Sequence, residues 1–299
     1  MAELSLPEEW MLNSVHPTEE SDLIARGIVH CHTDLSYDCE MDLGDLCNTL
    51  QREGFQFVGL TEHDRDVTSE RYSAYVERCR SVSNSDFVAI PGLEIRCTNG
   101  TEIAGLGVEE MVATGTPEEV VDRIRVLGGY SILVHPWKRG RWHGPYPDAD
   151  AIEVMNGKVD GTIAPDLGLL RSVRLARRSG LRANVITGLD MHEMSQARAT
   201  WVECRPAAVT QREILDSLRG GKFLSYTAAG TLLSSGAVSG RSFFRMLGFR
   251  AAYRGWNGIL PRLPRLGREL LLRVTRTSIA HLKRPPGPTL TASAADSMK

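Results

Sequence analysis

The chain reads as short apolar runs of strand length separated by stretches of helical period. Runs at 27–30, 55–61, 87–93, 102–108, 131–134, 151–154 and 184–188 are predicted as buried strands. Helices are predicted between several of them. Thr116-Pro117-Glu118-Glu119 opens one, with Thr116 as cap, Pro117 in the first turn and Glu119 closing a capping box; Gly128-Gly129 stops it. A second covers 169–179 with Gly180 as its C-terminal cap, and a third covers 211–219 before Gly220-Gly221. The polar, acidic residues 1–26 predict a lead-in arm. Strands alternating with helices predict an α/β fold with a largely parallel sheet, and seven strand candidates suit a barrel.

The pattern changes near residue 236. From there Phe243, Phe244, Phe249, Tyr253 and Trp256 lie among arginines, and Pro261 and Pro264 prevent one continuous helix. Residues 268–282 predict a basic amphipathic helix, and the small polar residues 285–299 predict disorder. The domain reading is therefore an arm (1–26), a barrel (27–235) and a basic extension (236–299).

Length and composition support this division. With 299 residues, 42% of them hydrophobic, the chain can bury a barrel-sized core. The net charge of −2 hides an asymmetry: residues 241–299 hold twelve Lys or Arg against Glu269 and Asp296, a net of +10, leaving −12 on the first 240. Such a tail fits an anionic membrane surface, an acidic partner or nucleic acid. Leucine richness without lysine over 259–282 favours the membrane surface or the partner over nucleic acid. No secretory signal and no run of spanning length is read. None of the six cysteines forms a CxxC pair. A cytoplasmic protein is expected, with peripheral attachment at the inner membrane face as an alternative.

The candidate chemistry lies at the strand ends. His30 and His32 close the first run, two apart and so on one face. Asp38 follows in the loop. His63 closes the second run, Glu94 the third and His135 another, and Asp190 and His192 follow 184–188, again two apart. Taken singly, an HxH is weak, His135 before Pro136 reads equally as a core residue, Asp190 as a helix cap and Glu94 as a surface acid. Taken together, they occupy the C-terminal strand ends, where loops of parallel α/β folds converge. Imidazole with carboxylate suits Zn, Mn or Fe, and eight donors exceed the need of one ion, so two or three divalent ions are expected.

HCHTDLSYD (30–38), GLTEHD (59–64), PGLE (91–94), LVHP (133–136), AIEVMNG (151–157) and GLDMH (188–192), in this order, resemble the PHP (polymerase and histidinol phosphatase) family over roughly 27–230. The resemblance implies a distorted (β/α)7 barrel with a trinuclear site. It implies His30, His32, Asp38, His63, Glu94, His135, Asp190 and His192 as metal ligands, with Glu94 bridging two ions. A metal-activated hydroxide would be positioned by Glu94, Asp190 and His192. One departure stands out. Many family members carry a histidine in the strand after GLE. Here that stretch reads TEIAGLG, with Ala104 in its place and Glu102 close by.

The function implied is hydrolysis of a small phosphoester or nucleotide. Arg65, Lys138, Arg139, Arg141, His143, Asn156 and Arg198 are the candidates for substrate binding, and Trp137, Trp142 and Tyr146 for stacking or loop packing. The alternatives are a carboxylic or carbamate ester hydrolase, a nuclease, and last a PHP-like binding module without turnover.

Overall fold

The computed structural model describes residues 23–138, 145–161, 163–197 and 199–259. Most of the expected arm, the 268–282 helix and the 285–299 tail lie outside the described residues, as do Arg139, Arg141, Trp142, His143 and Arg198.

The strands run in chain order as β1 (Ala25–Cys31), β2 (Phe57–Leu60), β3 (Glu62–His63), β4 (Val88–Ile90), β5 (Gly92–Arg96), β6 (Glu102–Leu106), β7 (Tyr130–Leu133), β8 (Ala151–Asn156), β9 (Asn184–Gly188), β10 (Thr200–Cys204), β11 (Phe223–Thr227) and β12 (Gly230–Leu233). The helices are α1 (Leu43–Arg52), α2 (Ser69–Val82), α3 (Pro117–Val126), α4 (Leu167–Arg178), α5 (Gln211–Arg219) and α6 (Gly240–Ile259).

Each helix follows from its apolar spacing and cap. In α1, Leu43, Leu46, Cys47 and Leu50 make a buried stripe, and Asp42 caps by accepting from Asp45 N. Thr116 and Glu119 form the expected capping box on α3. In α6, Met246 is buried and Phe243 and Phe249 pack on the core, while Phe244 and Leu247 face solvent. No described helix is long and apolar enough to cross a membrane.

Two six-stranded sheets form, ordered β12-β11-β10-β1-β2-β4 and β3-β5-β6-β7-β8-β9. This corrects the expectation of one largely parallel sheet closed as a (β/α)7 barrel. Parallel pairs are β1/β2, β2/β4, β3/β5, β7/β8 and β8/β9; the other pairs are antiparallel. Connection length accounts for two of the antiparallel pairs; β6/β7 and β10/β11 are antiparallel although α3 and α5 join them. Only a short turn joins β5 to β6, and another joins β11 to β12, and such turns link antiparallel strands. The chain passes from one sheet to the other at Thr61 and Pro91. At the opposite side β9 meets β1, where Leu189 N donates to Val29 O and His32 N to Met191 O. The strand ends that carry the histidines therefore face a common space.

Candidate metal centre

Local backbone irregularity aims the side chains. The β1/β2 register shifts between Val29 and Cys31, a bulge centred on His30. His30 (φ 64°), His135 (φ 30°) and Asp190 (φ 49°) all adopt left-handed backbone. Side chains rarely tolerate that region, at a cost of about 1–3 kcal/mol each, and such residues gather at functional sites.

The eight expected donors stand in one cluster. Glu94 is its hub: His30 Nε2 lies 3.7 Å, His32 Nε2 3.5 Å and His63 Nδ1 3.2 Å from Oε2, and His135 Nε2 lies 2.8 Å from Oε1. Asp190 Oδ1 lies 3.9 Å from His30 Nε2, 3.4 Å from His32 Nε2 and 3.4 Å from His192 Nδ1. Asp38 joins the open side, 3.3 Å from His63 Nε2 and 3.2 Å from His192 Nε2. Tyr37 stacks on His63 with ring centroids 5.1 Å apart.

A buried shell sets the histidine tautomers. Glu153 is 1% exposed, flanked by the apolar Ile152 and Val154. Its Oε1 accepts from His30 Nδ1 at 2.9 Å, and its Oε2 accepts from His135 N at 2.8 Å and Asn156 Nδ2 at 3.0 Å. Ser36 donates to buried Glu62, so its oxygen accepts from His32 Nδ1 (3.2 Å) and His63 N (3.0 Å). Thr33 and Tyr75 also donate to Glu62. His192 Nδ1 donates to the Asp190 carbonyl at 2.9 Å. Each of these three rings thus spends Nδ1 on a fixed acceptor and turns Nε2 to the cluster. Gly188 leaves the room Glu153 needs: a Cβ there would lie 1.8 Å from Glu153 Oε1 and 2.9 Å from His30 Cβ.

What remains is a set of buried atoms that face one another without a hydrogen bond: His30 Nε2, His32 Nε2, His63 Nε2 and Glu94 Oε2. Leaving such atoms unpaired is costly. Four donor sets each lie within 4.8 Å: His32, His63 and His192; His30, His32 and Glu94; His30, His135 and Asp190; Glu94, Glu102 and His135. These donors fit divalent metal ions. Charge agrees: burial pushes the Glu94 carboxyl up, but His135, His30 and His63 outweigh it and hold it well below the usual range. Burial likewise opposes ionisation of Asp190, yet His30 and His32 hold it well below its ordinary value. Burial, helped by the charge of His30, lowers His32 against the pull of Asp190 and Glu94, whereas at His30 the neighbouring Glu153 and Asp190 overcome burial and raise it.

Glu102 enters the cluster. Ala104 pairs with Glu94 across the ladder and is fully buried. Glu102, two residues away on the same face, reaches 3.5 Å from His135 Nδ1 and 3.3 Å from Lys138 Nζ.

The described substrate candidates fall differently. Lys138 lies at the rim on Glu102. Arg65 is largely exposed, over the Tyr37 ring at 5.1 Å and paired with Asp66 at 3.2 Å. Asn156 lies beneath the mouth rather than in it, fully buried, with its amide engaged by Glu153 and its Oδ1 accepting from Lys158 N and Val159 N. Trp137 and Tyr146 pack against the core. Sequence reasoning missed Lys158, whose Nζ stands 3.1 Å from His192 Nε2 and 3.6 Å from Asp38 Oδ2. It also missed Glu153, Glu62, Ser36 and Tyr37. For Glu153 a signal existed: a lone acid among apolar strand residues must be paired.

No family model matches the chain, and no curated protein does. Solved structures do. A two-domain protein from Bacteroides vulgatus, described as containing a predicted PHP-like metal-dependent phosphoesterase, superposes with a TM-score of 0.53 at 15% identity, over 72% of this chain and 68% of that one. PsfC from Pseudomonas syringae superposes at 0.50 and 16% identity, over 78% of this chain and 98% of that one. At these identities the likeness is one of fold.

Proposed function

We propose that this chain, which shares its fold with PHP-like structures, is a metal-dependent phosphoesterase acting on a small phosphorylated molecule or nucleotide. The observation that carries the reading is the convergence of three imidazole Nε2 atoms and Glu94 Oε2, buried and without hydrogen bonds, on one space. His30, His32, Asp38, His63, Glu94, His135, Asp190 and His192 would hold two or three ions of Zn, Mn or Fe, with Glu102 as an added carboxylate beside His135. Bound ions of this kind lower the pKa of water and stabilise charge developing on a phosphoryl group.

The rest of the reading concerns this chain's own side chains. Lys158, 46% exposed on a four-carbon stem, meets an anion at the mouth. Arg65 and Lys138 add positive charge at the rim, where exposed Tyr37 holds the Arg65 guanidinium over its ring. The cations favour a phosphoester over a neutral ester.

Elemental analysis of the purified protein, paired with a phosphoester panel, tests this. Two or three ions per chain are expected, with phosphate release lost in His30→Ala and Asp190→Ala. Bound metal with turnover of carboxylic esters alone would replace the phosphoesterase reading. No metal and no turnover would end it.

A further inference from the structure

The loop after β8 carries Lys158, and it is held from outside the cluster. Asn156 builds the turn: its Oδ1 accepts from Lys158 N and Val159 N, both at 3.0 Å. Asp160 closes it, with Oδ2 accepting from Asn156 N at 3.0 Å and its own N donating to Asn156 O at 2.8 Å. The far side of this turn meets α6. Arg250 Nη1 donates to Asp160 O at 3.0 Å, Nε donates to Pro165 O at 2.8 Å, and Nη2 stands 3.9 Å from Asp160 Oδ1. The guanidinium therefore ties both ends of the loop with its planar fork.

This Arg250 side chain is only 11% exposed, and Asp160 19%. Burying a guanidinium is expensive, and one carboxylate at 3.9 Å is a loose partner. The helix behind it is anchored by Met246, Phe243 and Phe249 on the core. A fixed helix, a buried cation and two carbonyls form a rigid brace on the segment whose other side places an ammonium at the cluster.

We propose that Arg250 is a positioning residue: through it, α6 braces the β8–α4 loop so that Lys158 stands at the mouth to receive the phosphoryl anion. This rests on the phosphoesterase reading. It makes the start of the C-terminal extension a part of the active-site architecture.

The test uses the full-length, metal-loaded protein with inorganic phosphate as probe. Phosphate affinity is measured by calorimetry, and amide exchange is followed in peptides spanning 157–166. Arg250→Ala is expected to speed exchange there and to weaken phosphate about tenfold, the size of one charge-assisted contact. Lys158→Ala should weaken phosphate equally and leave exchange unchanged. The double variant should bind no more weakly than Lys158→Ala alone, because Arg250 acts through Lys158. Arg250→Lys should fall between, since its single nitrogen lacks the planar fork that reaches the two carbonyls from separate atoms; it also carries the test if the alanine variant does not fold. Losses that multiply in the double variant, or unchanged phosphate affinity or loop exchange in the Arg250 variants, would overturn the role given to Arg250. A wild-type protein that neither binds phosphate nor turns over any phosphoester would instead sink the phosphoesterase reading.

Discussion

His30 Nδ1 donates to Glu153 Oε1 at 2.9 Å, with both side chains 1% exposed. The same carboxylate accepts from His135 N through its other oxygen. One buried glutamate thus sets the tautomer of one histidine and the backbone of a second, on strands far apart in sequence.

Glu153→Gln tests that arrangement. The amide oxygen is still needed by His135 N and Asn156 Nδ2, so the amide nitrogen faces His30 Nδ1 and forces its proton onto Nε2. The ring then presents N–H where a lone pair is needed. Metal affinity should fall about 10–100-fold, read by chelator competition, with the fold intact by circular dichroism. Wild-type affinity would show that His30 needs no orienting acid.

Gly188→Ala should act on the same pair from the backbone. The added methyl meets Glu153 Oε1 and His30 Cβ, neither of them a free side-chain end. A loss of about 1–3 kcal/mol in denaturant unfolding is expected, together with weaker metal binding. Unchanged values in both measurements would mean that Glu153 relaxes at no cost.

At the other end of the cluster, Glu102→Ala should lower the number of ions per chain found by elemental analysis. Glu102, Glu94 and His135 form one of the donor sets, and Ala104 supplies no ligand in compensation. The His30, His32 and Glu94 set should stay filled. Equal occupancy in the variant and the wild type would remove Glu102 from the ligand set.

Asp160 predicts a pH signature. Burial pushes its carboxyl up to about 6, against the bond from Asn156 N and the charge of Arg250. A carboxyl raised on folding binds its proton more tightly in the native state than in the unfolded one. Its contribution to stability is therefore greatest below the unfolded value and declines as pH rises through about 6, by at most about 3 kcal/mol. Asp160→Asn should flatten the pH 4–6 part of the stability curve. Parallel curves for variant and wild type would show that Asp160 titrates normally.

The sequence alone determined seven strand regions, three helices and a list of candidate donors; β10 to β12, α1 and α2 were not read from it. Thr116-Pro117-Glu118-Glu119 forms a capped start for α3 because side-chain caps need only neighbours within three residues. His30, His32, His63, Glu94, His135, Asp190 and His192 were legible because each ends an apolar run. Tertiary structure decided what depends on pairs far apart in the chain. The two-sheet topology depends on which strands pair, including where β10 to β12 attach, which local period does not encode. The left-handed backbone of His30, His135 and Asp190 is imposed by neighbouring strands. Lys158 reaches the cluster because its loop follows β8, and Arg250 meets that loop only because α6 folds against β12. Glu153 joins residues 30, 135 and 156 at one carboxylate, and only the fold can bring them there. Burial and hydrogen-bond direction are properties of assembled surfaces, so the roles of Glu153, Glu62 and Ser36 behind the histidines became visible only once the strands were in register.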